Sequence, residues 1–290
     1  MKATKGEKIF YAINYLFLFL VGLSCLLPLL HIMALSVSSQ GAVMSGRVII
    51  IPVELSGESF RILFAGTPIL RAFGNSVLIT VVGVVLSMAG TVLAAYPLSR
   101  DHFYCRKFFT MLCVFTMLFS GGLIPNYLVV RSLGLINTYW ALWLPGLVST
   151  YNILLMRTFF KNIPAELEEA ARIDGCNEAH LIFRIFLPLS LPALATLSLF
   201  YGVGYWNAFM SVLIYIIDTA KFNLSVLINN MIRNSSFLTE QYVQMEDMVH
   251  ITPEGVRAAG IMVMVIPMLM VYPFLQKYFV KGTMLGSLKG

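Results

Sequence analysis

A polar stretch between two apolar segments holds the residues of this chain whose types and spacing best indicate a specific interaction. It is rich in glutamate and alanine, which favour a helix, and an isolated glycine and a Leu-Pro step follow it. The fixed positions of the pattern are Glu169, Ala170, Ala171, Gly175, Ile185, Leu187 and Pro188. At average usages of roughly 5–10% per residue type, chance meets such a set about once in 10⁸ starting positions. The small side chains at Ala170 and Ala171 let another surface approach closely, so the pattern indicates docking rather than bond making.

The residues at the start of this stretch predict a short amphipathic helix. The sequence at 162–164, Asn-Ile-Pro, offers a helix start, because proline is tolerated in the first turn. The glutamates that follow favour the positive end of the helix dipole. Glu168 and Arg172 have the i, i+4 spacing of a surface ion pair. At helical spacing, one apolar face would hold Ile163, Leu167, Ala170 and Ala171.

Gly175 is expected to end this helix, because a left-handed residue is favoured there and glycine adopts that conformation without steric cost. A second short helix is predicted from about Asn177 to Leu187, where Pro188 marks the start of the next apolar segment. The two helices would lie under the membrane at an angle to each other. An ordinary amphipathic interfacial loop is the alternative interpretation, and the full spacing of the pattern argues against it.

The composition of the chain indicates an integral membrane protein. Of its 290 residues, 58% are hydrophobic and only 12% are charged, and the mean hydropathy is +0.81. Soluble domains carry about 25% charged residues, so a soluble protein of this composition would expose large apolar patches. The net charge of +6 gives no reason to propose nucleic-acid binding, because no basic cluster interleaved with aromatic residues accompanies it.

Six segments are apolar enough to cross a bilayer as a helix, and each has the roughly 20 residues that a crossing needs. They are residues 9–35, 73–98, 108–130, 137–156, 185–217 and 258–279. The first is interpreted as a retained helix rather than a signal peptide, because its apolar run exceeds the roughly 7–15 residues of such signals. The fifth is long enough to contain a break or to project beyond the bilayer, with Pro188 and Pro192 at its start and Gly202 and Gly204 inside it.

The distribution of positive charge predicts the orientation. With the N-terminus inside, most of the 20 lysine and arginine residues fall on the cytoplasmic side, as the positive-inside rule requires. Both termini and the loop 157–184 are therefore predicted to be cytoplasmic, and the long loop 218–257 external. The chain divides into a first helix and external loop at 1–72, a five-helix transmembrane core at 73–279 and a cytoplasmic tail at 280–290.

Motifs that would supply energy or catalysis are missing from the sequence. There is no G-x-x-x-x-G-K-[ST] phosphate loop, so the chain cannot bind ATP by that route. The predicted spans hold no Asp, Glu, Lys or Arg away from their ends, whereas ion-coupled transporters usually place an ionisable group inside the membrane. HExxH, GxSxG and a metal site are also absent. The sequence therefore predicts a non-catalytic chain, and any energy for its function must enter from outside it.

The spacing E-A-A, three residues, G, nine residues, I, one residue, L-P matches the EAA loop of ATP-binding-cassette (ABC) importer permeases. Over essentially its whole length the chain resembles carbohydrate ABC-importer permeases of the maltose-permease MalG kind, and more narrowly the LplC- and YtcP-type branch of Gram-positive bacteria. Further segments that resemble this branch are 119–125, 137–142, 156–160, 205–207 and 277–282. The resemblance implies an all-α membrane protein with six transmembrane helices, a type I (MetI-like) permease fold and cytoplasmic EAA coupling helices.

The resemblance also implies a mechanism. In such importers the EAA helices dock into a cleft on a cytoplasmic ATPase, and ATP-driven closure of two ATPases switches the pathway from inward- to outward-facing. By this resemblance the docking surface would comprise Glu169, Ala170, Ala171 and Gly175. The rigid connection to the fifth helix would comprise Ile185, Leu187 and Pro188.

The partners implied by the resemblance are a second, different permease subunit, two ABC ATPase subunits and a solute-binding protein, lipid-anchored or periplasmic. The cargo would be a carbohydrate, with an oligosaccharide expected, and the location the bacterial cell membrane. The ATPases would use ATP and Mg²⁺, while this chain binds no cofactor. A secondary transporter or channel that acts alone is the alternative, and a structural scaffold would leave the EAA spacing unexplained.

Aromatic and amide residues within the apolar spans are candidates for the substrate path. Sugars offer C–H faces and hydroxyls, which suit aromatic stacking and amide hydrogen bonds. The candidates are Asn126, Tyr127, Tyr151, Asn152, Tyr201, Tyr205, Trp206 and Asn207. Packing between helices is the competing interpretation for all of them.

Overall fold

The computed structural model describes residues 4–233 and 252–287, and their regular structure is helical apart from an isolated antiparallel bridge between Ser38 and Leu55. In chain order the helices are α1 (Lys5–Val37), α2 (Gln40–Met44), α3 (Glu58–Gly66), α4 (Ile69–Ser99), α5 (Arg106–Leu118), α6 (Leu123–Ser132), α7 (Trp140–Trp143), α8 (Thr150–Lys161), α9 (Ala165–Ile173), α10 (Glu178–His180), α11 (Leu187–Leu189), α12 (Leu191–Trp206), α13 (Met210–Tyr215), α14 (Leu224–Arg233) and α15 (Pro253–Ser287). A π-helical segment, Leu181–Phe186, joins α10 to α11, and a 3₁₀ turn, Thr219–Lys221, precedes α14. Residues 234–251 of the predicted external loop 218–257 and residues 288–290 of the predicted tail lie outside the described residues.

Contacts between residues divide the chain into two compact units, Met1–Leu70 with Leu227–Ile266 and Arg71–Val226 with Pro267–Gly290. In the first unit, α1 opens with a capping box, in which Thr4 accepts a hydrogen bond from the Glu7 amide and donates its own amide to the Glu7 carboxylate. Most large apolar side chains of α1 are exposed in this chain, which suits a helix whose solvent is lipid.

The second unit contains two apolar cores, and α4 contributes to both. The first core joins the C-terminal half of α4 to α8, α9 and the π-helical segment, with Tyr96, Phe160 and Phe186 meeting edge to face at centroid distances of 6.3, 5.2 and 5.5 Å. The second core joins the N-terminal half of α4 to α7, α12 and α13. There Trp143 donates its indole N–H to the carbonyl of Ile79 at 3.1 Å. Both α4 and α12 belong to the two cores, α12 through Leu197 in the first and Tyr201 in the second, so these two helices link them.

The predicted spans 9–35, 73–98 and 258–279 coincide with long apolar helices. In the part of the chain that is described, three helices are long and apolar enough to cross a membrane, Gly6–Val37, Ile69–Ser99 and Pro253–Pro273, and up to five spans result if each of two bent helix pairs counts as one. The count of six continuous spans is therefore not confirmed. The last helix also continues beyond the predicted end of the span, to Ser287.

The other three predicted spans are interrupted. The third is bent by 114° between α5 and α6, where Gly122 has a positive φ of 84°. The fourth is interrupted between α7 and α8, in a stretch that contains Pro145 and Gly146. The fifth is bent by 84° at Ser190, just before Pro192, and it is interrupted again after Trp206. Apolar composition set the length of these spans, while proline and glycine set where the helices break.

Candidate functional site: the EAA segment and a neighbouring cavity

The polar stretch forms α9 as predicted, with Pro164 at its N-cap, but only part of the sequence pattern faces solvent. Ala171 packs in the first core at 7% exposure, and Glu168 is also buried, at 9%. Glu169 and Ala170 are exposed. Successive helical residues lie about 100° apart, so neighbouring positions of the pattern must face different ways. The placement of Ala170 and Ala171 on one common surface is corrected accordingly.

The apolar face predicted for α9 also needs correction. Ile163 packs partly buried against the first core, but Leu167 is 44% exposed and Ile173 is 86% exposed. Together with Glu169 and Ala170 these residues form a surface that we call the exposed α9 face, comprising Leu167, Glu169, Ala170 and Ile173. The face combines apolar side chains with the carboxylate of Glu169, and the exposed Glu166 lies on the same side one turn earlier. Within the described chain nothing covers this face.

Gly175 ends α9 in the left-handed conformation that was predicted, with a φ of 80°. Its amide donates to the Arg172 carbonyl at 3.1 Å, and the Cys176 amide donates to the Ala171 carbonyl at 3.0 Å. These two bonds are those of a Schellman motif, which satisfies carbonyls at a helix C-terminus. No atom lies within 4 Å of where a Cβ on Gly175 would stand, so backbone conformation and not space demands glycine here.

A network of charges fixes α9 to α4 and to the second short helix. Arg100, one residue beyond α4, forms an ion pair with Glu168 and donates to the Phe160 carbonyl at 2.8 Å. The Arg172 guanidinium lies 2.9 Å from Glu168 Oε1 and 2.6 Å from Glu178 Oε1. Tyr96 donates its hydroxyl to Glu178 at 2.5 Å. The predicted Glu168–Arg172 pair is confirmed, as part of a larger network that we call the α9 anchor (Tyr96, Arg100, Glu168, Arg172 and Glu178).

The electrostatics of the α9 anchor favour its charged form. Burial opposes ionisation of Glu168, but hydrogen bonds and positive charge from Arg172 and Arg100 outweigh it and hold the pKa of this carboxyl below its usual value. The hydrogen bond from Tyr96, followed by contacts with Arg172, likewise lowers the pKa of Glu178. The two carboxylates in turn raise the pKa of Arg172. Arg100 also lies over the Phe186 ring, 4.6 Å from its centroid, which adds a cation–π contact.

The second short helix begins at Asn177 as predicted, because the Asn177 side chain accepts the His180 amide at 2.9 Å. The helix then passes into the π-helical segment and continues to Leu189, two residues beyond the predicted end. Ile185 and Leu187 pack partly buried against the first core around the fully buried Phe186, while Pro188 is exposed. This packing makes a continuous connection from the EAA segment toward α12.

A polar concavity of about 540 Å³ lies beside the α9 anchor. It is lined by Ser99, Arg100, Asp101, His102, Lys161, Ile163, Ala165, Glu168, Glu169 and Arg172. Its rim thus combines the first half of α9 with the ends of α4 and α8. The mixed charges of its lining suit a protein loop more than an apolar ligand.

A second cavity, of about 950 Å³, lies beside the second core. Its lining residues are Leu142, Gly146, Ser149, Tyr151, Asn152, Phe200, Tyr201, Gly204, Tyr205, Asn207, Ala208, Phe209, Met210 and Ser211. Five of the residues predicted for the substrate path are therefore brought together here: Tyr151, Asn152, Tyr201, Tyr205 and Asn207. The lining is mainly apolar and aromatic with a few polar groups, as is typical of small-molecule sites.

Two of these tyrosines are held by α4. The Tyr205 hydroxyl lies 2.9 Å from Ser87 Oγ, and the Tyr201 hydroxyl lies 2.7 Å from Thr91 Oγ1. Both pairs have i, i+4 spacing on each helix, so they form a short polar ladder between α4 and α12. Tyr201 also accepts the Ser149 amide at 3.0 Å. Their hydroxyls are therefore engaged, and these tyrosines offer the cavity mainly their rings.

The N-terminus of α8 faces the same cavity. Ser149 is its N-cap residue, and the side chain makes no capping hydrogen bond. Asn152, in the first turn, is only 4% exposed, and its amide has no hydrogen-bond partner among the residues that the structure describes. The first backbone N–H groups of a helix also lack partners within the helix. This end of the cavity therefore offers several unsatisfied hydrogen-bond donors.

Trp206 and Asn126, also predicted for the substrate path, lie outside the cavity lining. Trp206 is buried at 6% exposure, with its ring edge-on to Phe73 at 6.0 Å, so it packs in the protein and does not line the cavity. Asn126 is exposed on α6, away from the cavity lining. Asn207 lines the cavity, but it donates its side chain to the Val203 carbonyl at 2.9 Å, at the end of α12. α12 runs unbroken through Gly202 and Gly204, so the break allowed for in the fifth span does not lie at these glycines.

Several important residues escaped the sequence interpretation. Arg100 and Glu178 complete the α9 anchor, but the sequence alone marks neither for this role, since each is one of several charged residues between the predicted spans. Ser87 and Thr91 were passed over within an apolar run. Their i, i+4 spacing on the same helix was the available signal for a polar contact between helices.

Comparison with known proteins supports one family. Residues 7–284 match the family described as binding-protein-dependent transport system inner membrane component. The polygalacturonan/rhamnogalacturonan transport system permease protein YtcP of Bacillus subtilis (strain 168) is 44% identical over 284 residues, which cover 98% of this chain and 99% of the relative. Protein LplC of the same strain is 42% identical over 291 residues, which cover 100% of this chain and 98% of the relative.

A solved structure has the same fold. It is the crystal structure of a bacterial ABC transporter involved in the import of the acidic polysaccharide alginate, with a TM-score of 0.88 and 31% identity. The match covers 96% of this chain and 99% of the matched chain. The helical fold of the described residues is thus that of an ABC-importer permease.

Proposed function

The chain belongs to the family of binding-protein-dependent transport system inner membrane components, and we propose that it forms half of the translocation pathway of an ABC importer for a carbohydrate. Two similar proteins support the cargo class, since one is named for polygalacturonan and rhamnogalacturonan transport and the other takes part in alginate import. An oligosaccharide is the proposed cargo. A cavity of about 950 Å³ with an aromatic lining has room for such a molecule.

The observation that carries the coupling role is the exposed α9 face on a helix that is fixed from behind. Glu169 and Ala170 face solvent, while Glu168 on the opposite side is bound to Arg100. Force applied to the exposed face would pass through this buried ion pair to α4. Ile185 and Leu187 offer a second route through the first core toward α12. We assign ATPase docking to Glu169, Ala170 and Gly175, with Ala171 supporting the helix from within.

The proposed assembly contains a second permease, two cytoplasmic ABC ATPases and a solute-binding protein. ATP and Mg²⁺ act on the ATPases, and hydrolysis is not a function of this chain. The polar concavity beside the α9 anchor would receive a loop of the docked ATPase, since Glu169 belongs to both surfaces. Both termini and the EAA segment are proposed to be cytoplasmic, in keeping with the distribution of lysine and arginine.

The proposed substrate path in this chain is the cavity lined by Tyr151, Asn152, Tyr201, Tyr205 and Asn207. Exposed rings offer stacking surfaces, with Tyr151 and Phe200 at a centroid distance of 6.4 Å and exposures of 55% and 38%. Trp206 and Asn126 are left out of this proposal because neither lines the cavity.

The test is reconstitution of the importer with an altered exposed α9 face. Ala170→Arg places a long charged side chain on the proposed docking surface and should abolish both co-purification of the ATPases and ATP-dependent uptake. Ser132→Arg, at an exposed position on α6, is the matched control and should leave both intact. Uptake by this chain without ATPases, driven by an ion gradient, would instead support a secondary transporter or channel.

The proposed orientation has its own test, the labelling of single cysteines with an impermeant reagent in intact cells whose outer face is accessible. A cysteine at Ser56 should react, and one at the exposed Ala179 should not. Labelling in the reverse pattern would invert the topology without affecting the family assignment.

A further inference from the structure

We propose that the N-terminus of α8 is a binding subsite for a carboxylate of the cargo, which makes an acidic, uronate-containing oligosaccharide the substrate class. This inference rests on the proposed function and deepens it. The subsite comprises the first-turn backbone N–H groups of α8, the Ser149 hydroxyl and the Asn152 amide, all at one end of the cavity of about 950 Å³.

The first argument is the state of the helix end. α8 has 12 residues, so its dipole places partial positive charge at the N-terminus. A helix end of this kind is usually capped by a side-chain oxygen, but the N-cap Ser149 makes no such bond. Thr150 does not cap the helix either, because its hydroxyl donates to the Cys113 carbonyl at 3.2 Å. The donors of the first turn therefore remain available to a ligand.

The second, independent argument is Asn152. Asn152 is only 4% exposed, and it lines the cavity. Within the described chain, no group accepts a hydrogen bond from its side-chain N–H groups. Among the described residues the only fully buried side-chain polar atom without a partner is Thr80 Oγ1, so the Asn152 amide is not sealed in the protein but opens into the cavity. An unpartnered amide in this position can donate to an oxygen atom of a bound ligand, so it points to a place where a ligand binds.

The third argument selects the charge of the ligand. None of the described lining residues is charged, so no carboxylate already neutralises the helix end. Equally, no lysine or arginine is present to balance a dianion such as a phosphate ester. A single negative charge with two acceptor oxygens fits donors of this kind, and a uronate carboxylate supplies it. Broken helices of membrane transporters place their N-termini at anionic substrate groups for the same reason.

The neighbouring groups complete a sugar site. Tyr151, beside Asn152, and Phe200 expose their rings at the cavity and can stack on the C–H face of a sugar ring. Tyr201 fixes the Ser149 amide at 3.0 Å and so holds the start of α8 in place. The anionic group would thus be held at the helix end while the ring of the same residue lies against the aromatic side chains.

The test uses the complete importer in proteoliposomes with trigalacturonate, its neutral methyl ester and a neutral trisaccharide. Ser149→Asp and Asn152→Asp each put a negative charge at the subsite. Each should lower trigalacturonate uptake at least about tenfold while changing ester uptake less than about twofold. Asn126→Asp, outside the cavity, is the matched control. Aspartate is a good N-cap residue, so a purely structural role predicts that Ser149→Asp is harmless.

Each other outcome has a defined meaning. Equal losses for the acid and its ester, or no loss for either, would overturn the carboxylate subsite. Uptake of the neutral trisaccharide alone by the wild-type importer would overturn the acidic class and leave the proposed function standing. Absence of ATP-dependent uptake of any of the three sugars would count against the proposed function itself.

A second measurement does not depend on delivery by the binding protein. Ser149→Cys should react faster with an anionic than with a cationic methanethiosulfonate reagent, measured as the increment over the wild-type complex. Ala208 lines the same cavity but follows the C-terminal end of α12. The ratio of anionic to cationic reaction rates should therefore be lower for Ala208→Cys than for Ser149→Cys. Equal ratios at the two positions would overturn the proposal.

Discussion

Arg100 and Glu168 form an ion pair across 68 positions of sequence, with side chains only 10% and 11% exposed. Arg100 follows the last turn of α4, and Glu168 lies on the inner side of α9, one residue before the EAA triplet. The pair therefore joins a membrane-spanning helix to the helix that we assign to ATPase docking. Its energetics and its role in coupling can be separated by mutation.

Removal of one partner should destabilise the protein more than removal of both. Glu168→Ala leaves Arg100 buried without its main counter-charge, which costs about 3–5 kcal/mol for a buried pair. Arg100→Met combined with Glu168→Met should recover most of that loss, because an apolar pair replaces the charged one. Thermal denaturation of the purified complex measures both, with the exposed Glu166→Ala as a control. A double variant that is as unstable as the single one would contradict the account.

The same pair gives a pH dependence with a defined sign. The pKa of Glu168 in the folded protein lies below its ordinary value of 4.5, so its ionised form stabilises the fold at pH values above 4.5. That contribution is lost as the pH falls through the lowered pKa. The groups that face Glu168 are Arg100 and Arg172, with Glu178 beyond Arg172, and the arginines stay charged throughout. The stability difference between wild type and Glu168→Gln should therefore shrink below pH 4.5, and a constant difference from pH 7 to pH 3 would contradict it.

The local structure of the EAA segment was predictable from sequence, whereas its orientation was not. Gly175 and Asn177 carry strong local signals, and each adopts the predicted conformation. Ala170 and Ala171 are identical side chains one position apart, and only the tertiary contact with Arg100 decides which of them faces inward. Local propensity fixes where a short helix begins and ends, but its rotation depends on partners that are distant in sequence.

The apolar spans were also predictable only in part: their positions follow from the sequence, but not all of their bends do. Hydropathy located α1 and α4 within a few residues. It could not predict the bend at Gly122, because an apolar run of one length fits a straight span and a broken pair equally well. In the fifth span the length of the run allowed a break, and the bend at Ser190 lies between the prolines at its start, Pro188 and Pro192. The cavity lining was predicted in part, since five of its residues are aromatic or amide residues that the sequence analysis proposed for the substrate path. Trp206 satisfied the same criterion and is a packing residue.

Gly175 should tolerate asparagine better than valine. At a φ of 80°, asparagine is a known minority occupant, whereas a β-branched residue is strongly disfavoured. Gly175→Val should therefore leave the protein inserted but reduce uptake per ATP hydrolysed, while Gly175→Asn should retain most of it. The ratio of uptake to ATP hydrolysis in proteoliposomes is the measurement. Equal coupling in the two variants would show that this backbone conformation is not needed.

Trp206→Ala should lower the yield of assembled complex without lowering uptake per complex. Its ring is buried against Phe73, and truncation of a buried tryptophan costs about 3–5 kcal/mol. Uptake normalised to complex content separates this effect from a substrate contact. A normal yield of complex with reduced uptake per complex would instead indicate that Trp206 contacts the substrate.

Two glycines of α4 give the sharpest test of the contact between α4 and α12. A Cβ at Gly83 would stand 2.7 Å from the ring of Tyr205, whereas a Cβ at Gly74 would meet no atom within 4 Å. Gly83→Ala should therefore displace Tyr205, weaken its hydrogen bond to Ser87 and destabilise the protein by about 1–3 kcal/mol, as overpacking does.

Gly74→Ala is the matched control on the same helix, and it should be neutral or stabilising by up to about 1 kcal/mol through helix propensity. Tyr205→Phe isolates the hydrogen bond, because it keeps the ring but leaves the fully buried Ser87 hydroxyl without this partner. If the ladder positions the cavity wall, Gly83→Ala should also raise the KM for uptake, and Tyr205→Phe should do so less. Equal stabilities of Gly83→Ala and Gly74→Ala would mean that α4 and α12 are not in close contact at Tyr205.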